Sequence, residues 1–149
     1  MNLVGVSPES ASILLSVFVL AALTAIMMLW MYATRLPAMR RAGLDPQMGA
    51  HVADLRGKLP ASAERVADNY NHLTEAPTVF YAVALGIVVL GAAGPMDVAC
   101  AWTYVVLRIV HSLVQATINR VVLRFALFSL SWVALIVLIG RAIVAALAL

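Results

Sequence analysis

The chain has 149 residues, 64% of them hydrophobic and 11% charged, with a net charge of +3 and a mean hydropathy of +0.98. An ordinary soluble domain carries about 25% charged residues, so this composition excludes aqueous globular packing and points to one domain of helices packed in lipid. The ten basic residues form no block of the kind that binds nucleic acid, and Cys100, the sole cysteine, excludes an internal disulfide.

The first apolar run, Ala11–Ala33, predicts a membrane-spanning helix over about residues 9–35, with Ser7 as its cap and Pro8 in its first turn. No Lys or Arg precedes it, residue 9 is Glu, and its 23 residues exceed the roughly 7–15 of a signal-peptide core. A polar connector follows over Thr34–Thr74, punctuated by Pro37, Gly43, Pro46, Gly49, Gly57 and Pro60. Helical periodicity resumes at Ala61, so the second helix is expected over about 61–93, its first turns amphipathic and Pro77 kinking it near the membrane boundary. From Val98 the chain stays apolar for 52 residues. As one straight helix these would reach about 78 Å against a hydrocarbon core of about 30 Å, so the chain must reverse once. The polar cluster Gln115–Arg124 is the place for that turn, giving helices over about 97–118 and 122–148. The fold class is all-α: an integral membrane four-helix bundle.

Orientation follows from Lys/Arg counting. The connector holds Arg35, Arg40, Arg41, Arg56, Lys58 and Arg65, and the later turn holds Arg120 and Arg124, whereas the N-terminal flank and the turn around Asp97 hold none. By the positive-inside rule both basic loops are cytoplasmic and both termini lie on the far side.

Within this lipid-compatible chain, Arg108, His111 and Gln115 recur at spacings of three and four and share one helix face. Arg65, Asp68, His72 and Glu75 do the same at the start of the second helix, and Arg124 opens the fourth. Three helices thus bring an Arg-rich, His-containing patch to the cytoplasmic third of the bundle, where Glu75 is placed to pair with Arg65 or Arg108. Arg120 and Arg141, near helix ends, read as side chains snorkelling to the headgroups. Arg108 is nearly three turns from the polar turn and needs a partner or a ligand. The chemistry is that of a site for an anionic, polar small molecule. His51, His72 and His111 do not have metal-ligand spacing.

The segments ERVADNYNHLTEAPTVF and RIVHSLVQATINRVVLR, within residues 62–128, resemble the MAPEG superfamily, the membrane-associated proteins in eicosanoid and glutathione metabolism, in its bacterial type. The resemblance implies a homotrimer in the bacterial inner membrane. It implies glutathione as co-substrate, bound between subunits on the cytoplasmic side, and a lipophilic electrophile that arrives through membrane lipid. It assigns glutathione binding to Arg65, Asn71, His72, Glu75, Arg108, His111 and Gln115, and stabilisation of the catalytic thiolate to Arg124. His72 stands where asparagine is usual in the family. Asp68 and Asn71 replace arginines of the prostaglandin synthase type, Gln115 and Phe128 replace tyrosines, and Phe125 replaces a serine. The implied activity is a glutathione-dependent transferase or peroxidase. The alternatives are a non-catalytic protein of the same fold that binds a lipid or a partner, and a small transporter or proton relay built on Arg108 and His111.

Overall fold

The computed structural model describes residues 6–45, 47 and 55–148; Pro46, Gly49 and His51 lie outside the described residues. Five helical segments make four membrane-spanning passes: α1 (Pro8–Arg41), α2 (Ala61–Glu75) running into α3 (Pro77–Val89), α4 (Pro95–Ala116) and α5 (Val121–Leu147). No strand occurs among the described residues. The chain is an all-α, integral multi-pass membrane protein.

Each boundary has a local cause. Ser7 caps α1 by accepting the Ser10 N–H at 3.1 Å, and Pro8 fills the first turn, where no donor is needed. The helix does not stop near residue 35; it runs through Pro37 to Arg41. Tertiary packing explains the extension, because Ala38 and Met39 bury against Leu55, Leu59 and Ala63 in a small separate core. At Pro77 the second pass divides, with Ala76 between α2 and α3, since a proline nitrogen offers no N–H to the preceding turn. The reversal into α4 passes through Gly91, whose φ of +64° suits glycine.

The turn between α4 and α5 is closed by side chains that need neither Gly nor Pro. Thr117 donates its hydroxyl to the Leu113 carbonyl at 2.6 Å. Asn119 adopts φ +50°, a left-handed conformation that Asn tolerates better than most residues, and its N–H reaches the Val114 carbonyl at 2.7 Å.

Burial assigns the roles of the helices. Eleven of the 22 residues of α4 are buried, against four of the 27 in α5, so α4 is the central element and its polar residues sit in the core. The outer faces carry Leu15, Phe18, Leu29, Val133, Ile136 and Val144 exposed, as contact with lipid or another apolar surface requires. At the end holding the termini, Trp102 Nε1 donates to Ser12 Oγ at 3.0 Å and ties α4 to α1. Cys100 is buried there as a free thiol. Arg141 does not snorkel: it forms a two-pronged ion pair with Asp97 at the start of α4, Nη2 to Oδ2 at 2.9 Å and Nε to Oδ1. Asp97 is thereby satisfied while also accepting the Gly94 N–H at 2.9 Å.

Candidate functional site

The polar face of α4 builds the other end of the bundle. Tyr104, Arg108, His111, Ser112 and Gln115 are all buried and follow one another at helical spacing. α4 runs antiparallel to the second pass, and two contacts set the register. The Tyr104 hydroxyl lies 3.5 Å from the Ala76 carbonyl, and Arg108 Nη2 donates to the His72 carbonyl at 3.3 Å. Moving one turn along α4 therefore moves one turn back along α2. Both acceptors lie on the N-terminal side of Pro77.

Arg108 is fully buried, yet its Nε and Nη1 have no hydrogen-bond partner. Its remaining support is the face of Phe128, 5.6 Å from the guanidinium carbon. The expected pairing of Glu75 with Arg65 or Arg108 does not occur within the chain. Glu75 faces outward, exposed, and the sole ion pair among the described residues is Arg141–Asp97. Residue 75 follows His72 by three positions, but the buried face of α2 is made by Ala63, Val66, Ala67, Asn69 and Leu73, which leaves Glu75 outside it. Asn71 is also exposed and Arg65 half-buried, its Nε without a partner.

His111 and His72 form the centre. Their rings stack with centroids 5.2 Å apart and planes 27° apart, and Phe128 lies 5.2 Å from His72 and 6.1 Å from His111. His111 is held at both nitrogens. Nδ1 donates to the Arg124 carbonyl at 3.0 Å, and Nε2 meets the Gln115 carboxamide at 3.1 Å. The imidazole of His72 is half-buried and makes no hydrogen bond among the described residues.

Arg124 enters from the first turn of α5, half-buried, its Nη1 donating to Asn119 Oδ1 at 2.5 Å and its Nε unpartnered. Thus the structure brings His72, Arg108, His111, Gln115 and Arg124 together, and leaves Arg65, Asn71 and Glu75 around the rim. Two participants were not assigned a role from the sequence. Asn119 both turns the chain and anchors Arg124, and the signal for it is an asparagine in a turn that lacks glycine. Phe128, one turn after Arg124, lines the histidine pair.

The resulting site has two guanidiniums, two imidazoles and no carboxylate in ion-pair contact. Such an arrangement suits an anion, most of all one that brings carboxylates or a polarisable thiolate. The family comparison agrees with this chemistry. A model of the MAPEG family matches residues 13–144. The chain belongs to the MAPEG family. No curated protein and no solved structure is significantly similar to it. Membership places this MAPEG protein among the membrane proteins of glutathione and eicosanoid metabolism, whose members generally use glutathione.

Proposed function

We propose that this MAPEG protein is a glutathione-dependent transferase or peroxidase of lipophilic electrophiles, working as a homotrimer whose site opens to the cytoplasm. The carrying observation is the buried Arg108, partnered by one carbonyl and one aromatic face and by no carboxylate. A guanidinium held in that state inside a membrane bundle is stabilised by an anionic ligand.

In this reading Arg108 and Arg65 hold the carboxylates of the tripeptide through charge-assisted hydrogen bonds, the exposed Glu75 is available to its amine, and Arg124 faces the sulfur. A free thiol near pKa 8.5 is only a few per cent thiolate at neutral pH. Each unit by which a facing guanidinium lowers that pKa stabilises the thiolate by about 1.4 kcal/mol. The electrophile is concentrated by partitioning into the bilayer. A cavity of about 160 Å³ between α1, the connector and α2, lined by Arg35, Arg56, Glu64 and Asp68, is too small for a tripeptide, since ligand sites span about 300–1,000 Å³.

One observation favours a second reading, a non-catalytic MAPEG protein that binds a lipid or partner. Phe128 packs over both imidazoles and Phe125 is exposed, so no tyrosine or serine hydroxyl is offered at these two positions. The deciding experiment measures glutathione binding to the purified protein, the ultraviolet absorbance of a bound thiolate, and turnover of a reactive aryl halide. Binding with thiolate absorbance and turnover supports the first reading; absence of all three makes the second the better one.

A further inference from the structure

A thiol that becomes a thiolate must hand its proton to something, and the site offers few candidates. Arg65, Arg108 and Arg124 are already protonated and cannot accept one. Asn71, Gln115 and Asn119 are amides and are not bases. Asp68 and Glu75 are exposed on the outer side of α2. His111 is buried with both ring nitrogens engaged, Nδ1 by the Arg124 carbonyl and Nε2 by Gln115 of its own helix, so neither nitrogen is open to a bound thiol.

His72 remains. We propose that His72 is the general base of this site, taking the thiol proton as the sulfur is presented to Arg124. The inference rests on the glutathione reading above. Four observations place it there. Its imidazole makes no hydrogen bond among the described residues, so its lone pair is not committed. It is half-buried, and so open to a ligand from one side. Its ring is held in place by stacking on His111 and by Phe128, both at 5.2 Å. Its backbone is fixed by the Arg108 hydrogen bond to its own carbonyl. The charged or titratable groups that face it are Arg108 and His111 from α4 and Arg124 from α5. The orientation is divided between residues: His111 sets the ring plane and Arg124 the charge, while His72 carries the proton.

The step balances simply. The S–H bond breaks, its electron pair stays on sulfur and the proton moves to the imidazole. The thiolate then forms the new S–C bond to an aryl halide, the halide leaves with the electron pair of the broken bond, and the imidazolium returns its proton to water.

The test is the pH profile of kcat/KM for glutathione and a reactive aryl halide, measured on the full-length wild type and on His72→Gln in detergent micelles. Glutathione affinity is measured alongside. The expected result is a loss of about tenfold at pH 7, where an unassisted thiol is still a few per cent ionised, with affinity changed less than about threefold. The acid limb of the wild-type profile should move to higher pH in His72→Gln, toward the ionisation of the thiol itself. At pH 9 the thiol ionises without help, so the variant should recover to within a few-fold of the wild type. A misfolded variant cannot recover in this way. If His72→Gln keeps the wild-type rate and profile, or stays slow at pH 9, His72 is not the base while the glutathione reading stands. A wild type that neither binds nor turns over glutathione overturns both.

Discussion

At the end of the bundle that holds the termini, Arg141 meets Asp97 through two hydrogen bonds, and Asp97 in turn accepts the Gly94 N–H. At the connector end, Arg108 is fully buried with one carbonyl and one phenyl face, and two of its nitrogens lack partners. The same residue type is therefore closed in one place and open in the other. An arginine whose charge is matched within its own chain belongs to the fold. One whose charge is left unmatched in a dry interior is held for something outside the chain, a ligand or another subunit. This difference separates Arg141, which is structural, from Arg108 and Arg124, which are candidates for chemistry.

The largest effect should come from Arg124. If Arg124 faces the sulfur as proposed, Arg124→Ala should lower turnover about 10²–10³-fold, the usual cost of losing one positioned charge donor. Glutathione affinity should change much less, because the lost interaction is mainly with the charged sulfur. Arg124→Lys should restore part of the rate, since an ammonium keeps the charge without the planar fork. Wild-type turnover of an aryl halide by Arg124→Ala would break the comparison at once.

Arg108 tests the open end differently. Arg108→Met replaces a buried cation without a counter-ion by an apolar side chain of similar length, so the unliganded protein should unfold within about 1 kcal/mol of the wild type. Glutathione affinity should weaken about a hundredfold, equivalent to about 2.7 kcal/mol. Isothermal binding and thermal unfolding in the same detergent read both quantities. A large loss of stability with intact binding would place Arg108 with Arg141 as a structural residue.

At the closed end the order reverses. Arg141→Met leaves the Asp97 carboxylate unpaired in a buried position and should destabilise by about 2 kcal/mol, a figure held down by the partial exposure of Arg141. Turnover per folded molecule should be unchanged. Activity loss without a shift in the unfolding midpoint would show that this pair is not confined to the fold.

Most of the helical plan was legible because it rests on local rules: the apolar runs, the Ser7–Pro8 start, the Pro77 break and the single polar face of α4. The family was legible in the helix-two and helix-three motifs. What could not be read depends on tertiary partners. Asp97 and Arg141 are 44 positions apart, and no spacing rule connects them. The last turns of α1 look like loop until Ala38 and Met39 are seen packing on Leu55 and Leu59. Glu75 lies at helical spacing from its expected partners, but α2 buries the face of Val66, Asn69 and Leu73 and leaves Glu75 exposed.

Asn119 allows the open end to be converted into a copy of the closed one. It holds φ at +50° and accepts from Arg124 Nη1 through its side chain, so three substitutions separate these roles. Asn119→Gly keeps the left-handed turn and loses the acceptor. Stability should change little, and turnover should fall about threefold to tenfold as Arg124 loses its anchor, the scale expected for a misplaced group rather than a missing one. Asn119→Ala loses both and should also unfold about 1 kcal/mol more easily. Asn119→Asp is the most telling. The carboxylate keeps the acceptor position and pairs with Arg124, as Asp97 does with Arg141, adding up to about 1 kcal/mol of stability at a half-exposed site. The same pairing neutralises the charge that should meet the thiolate, so turnover and thiolate absorbance should both drop while the protein becomes more stable. If Asn119→Asp gains stability and keeps full turnover, an unmatched Arg124 is not what the site requires.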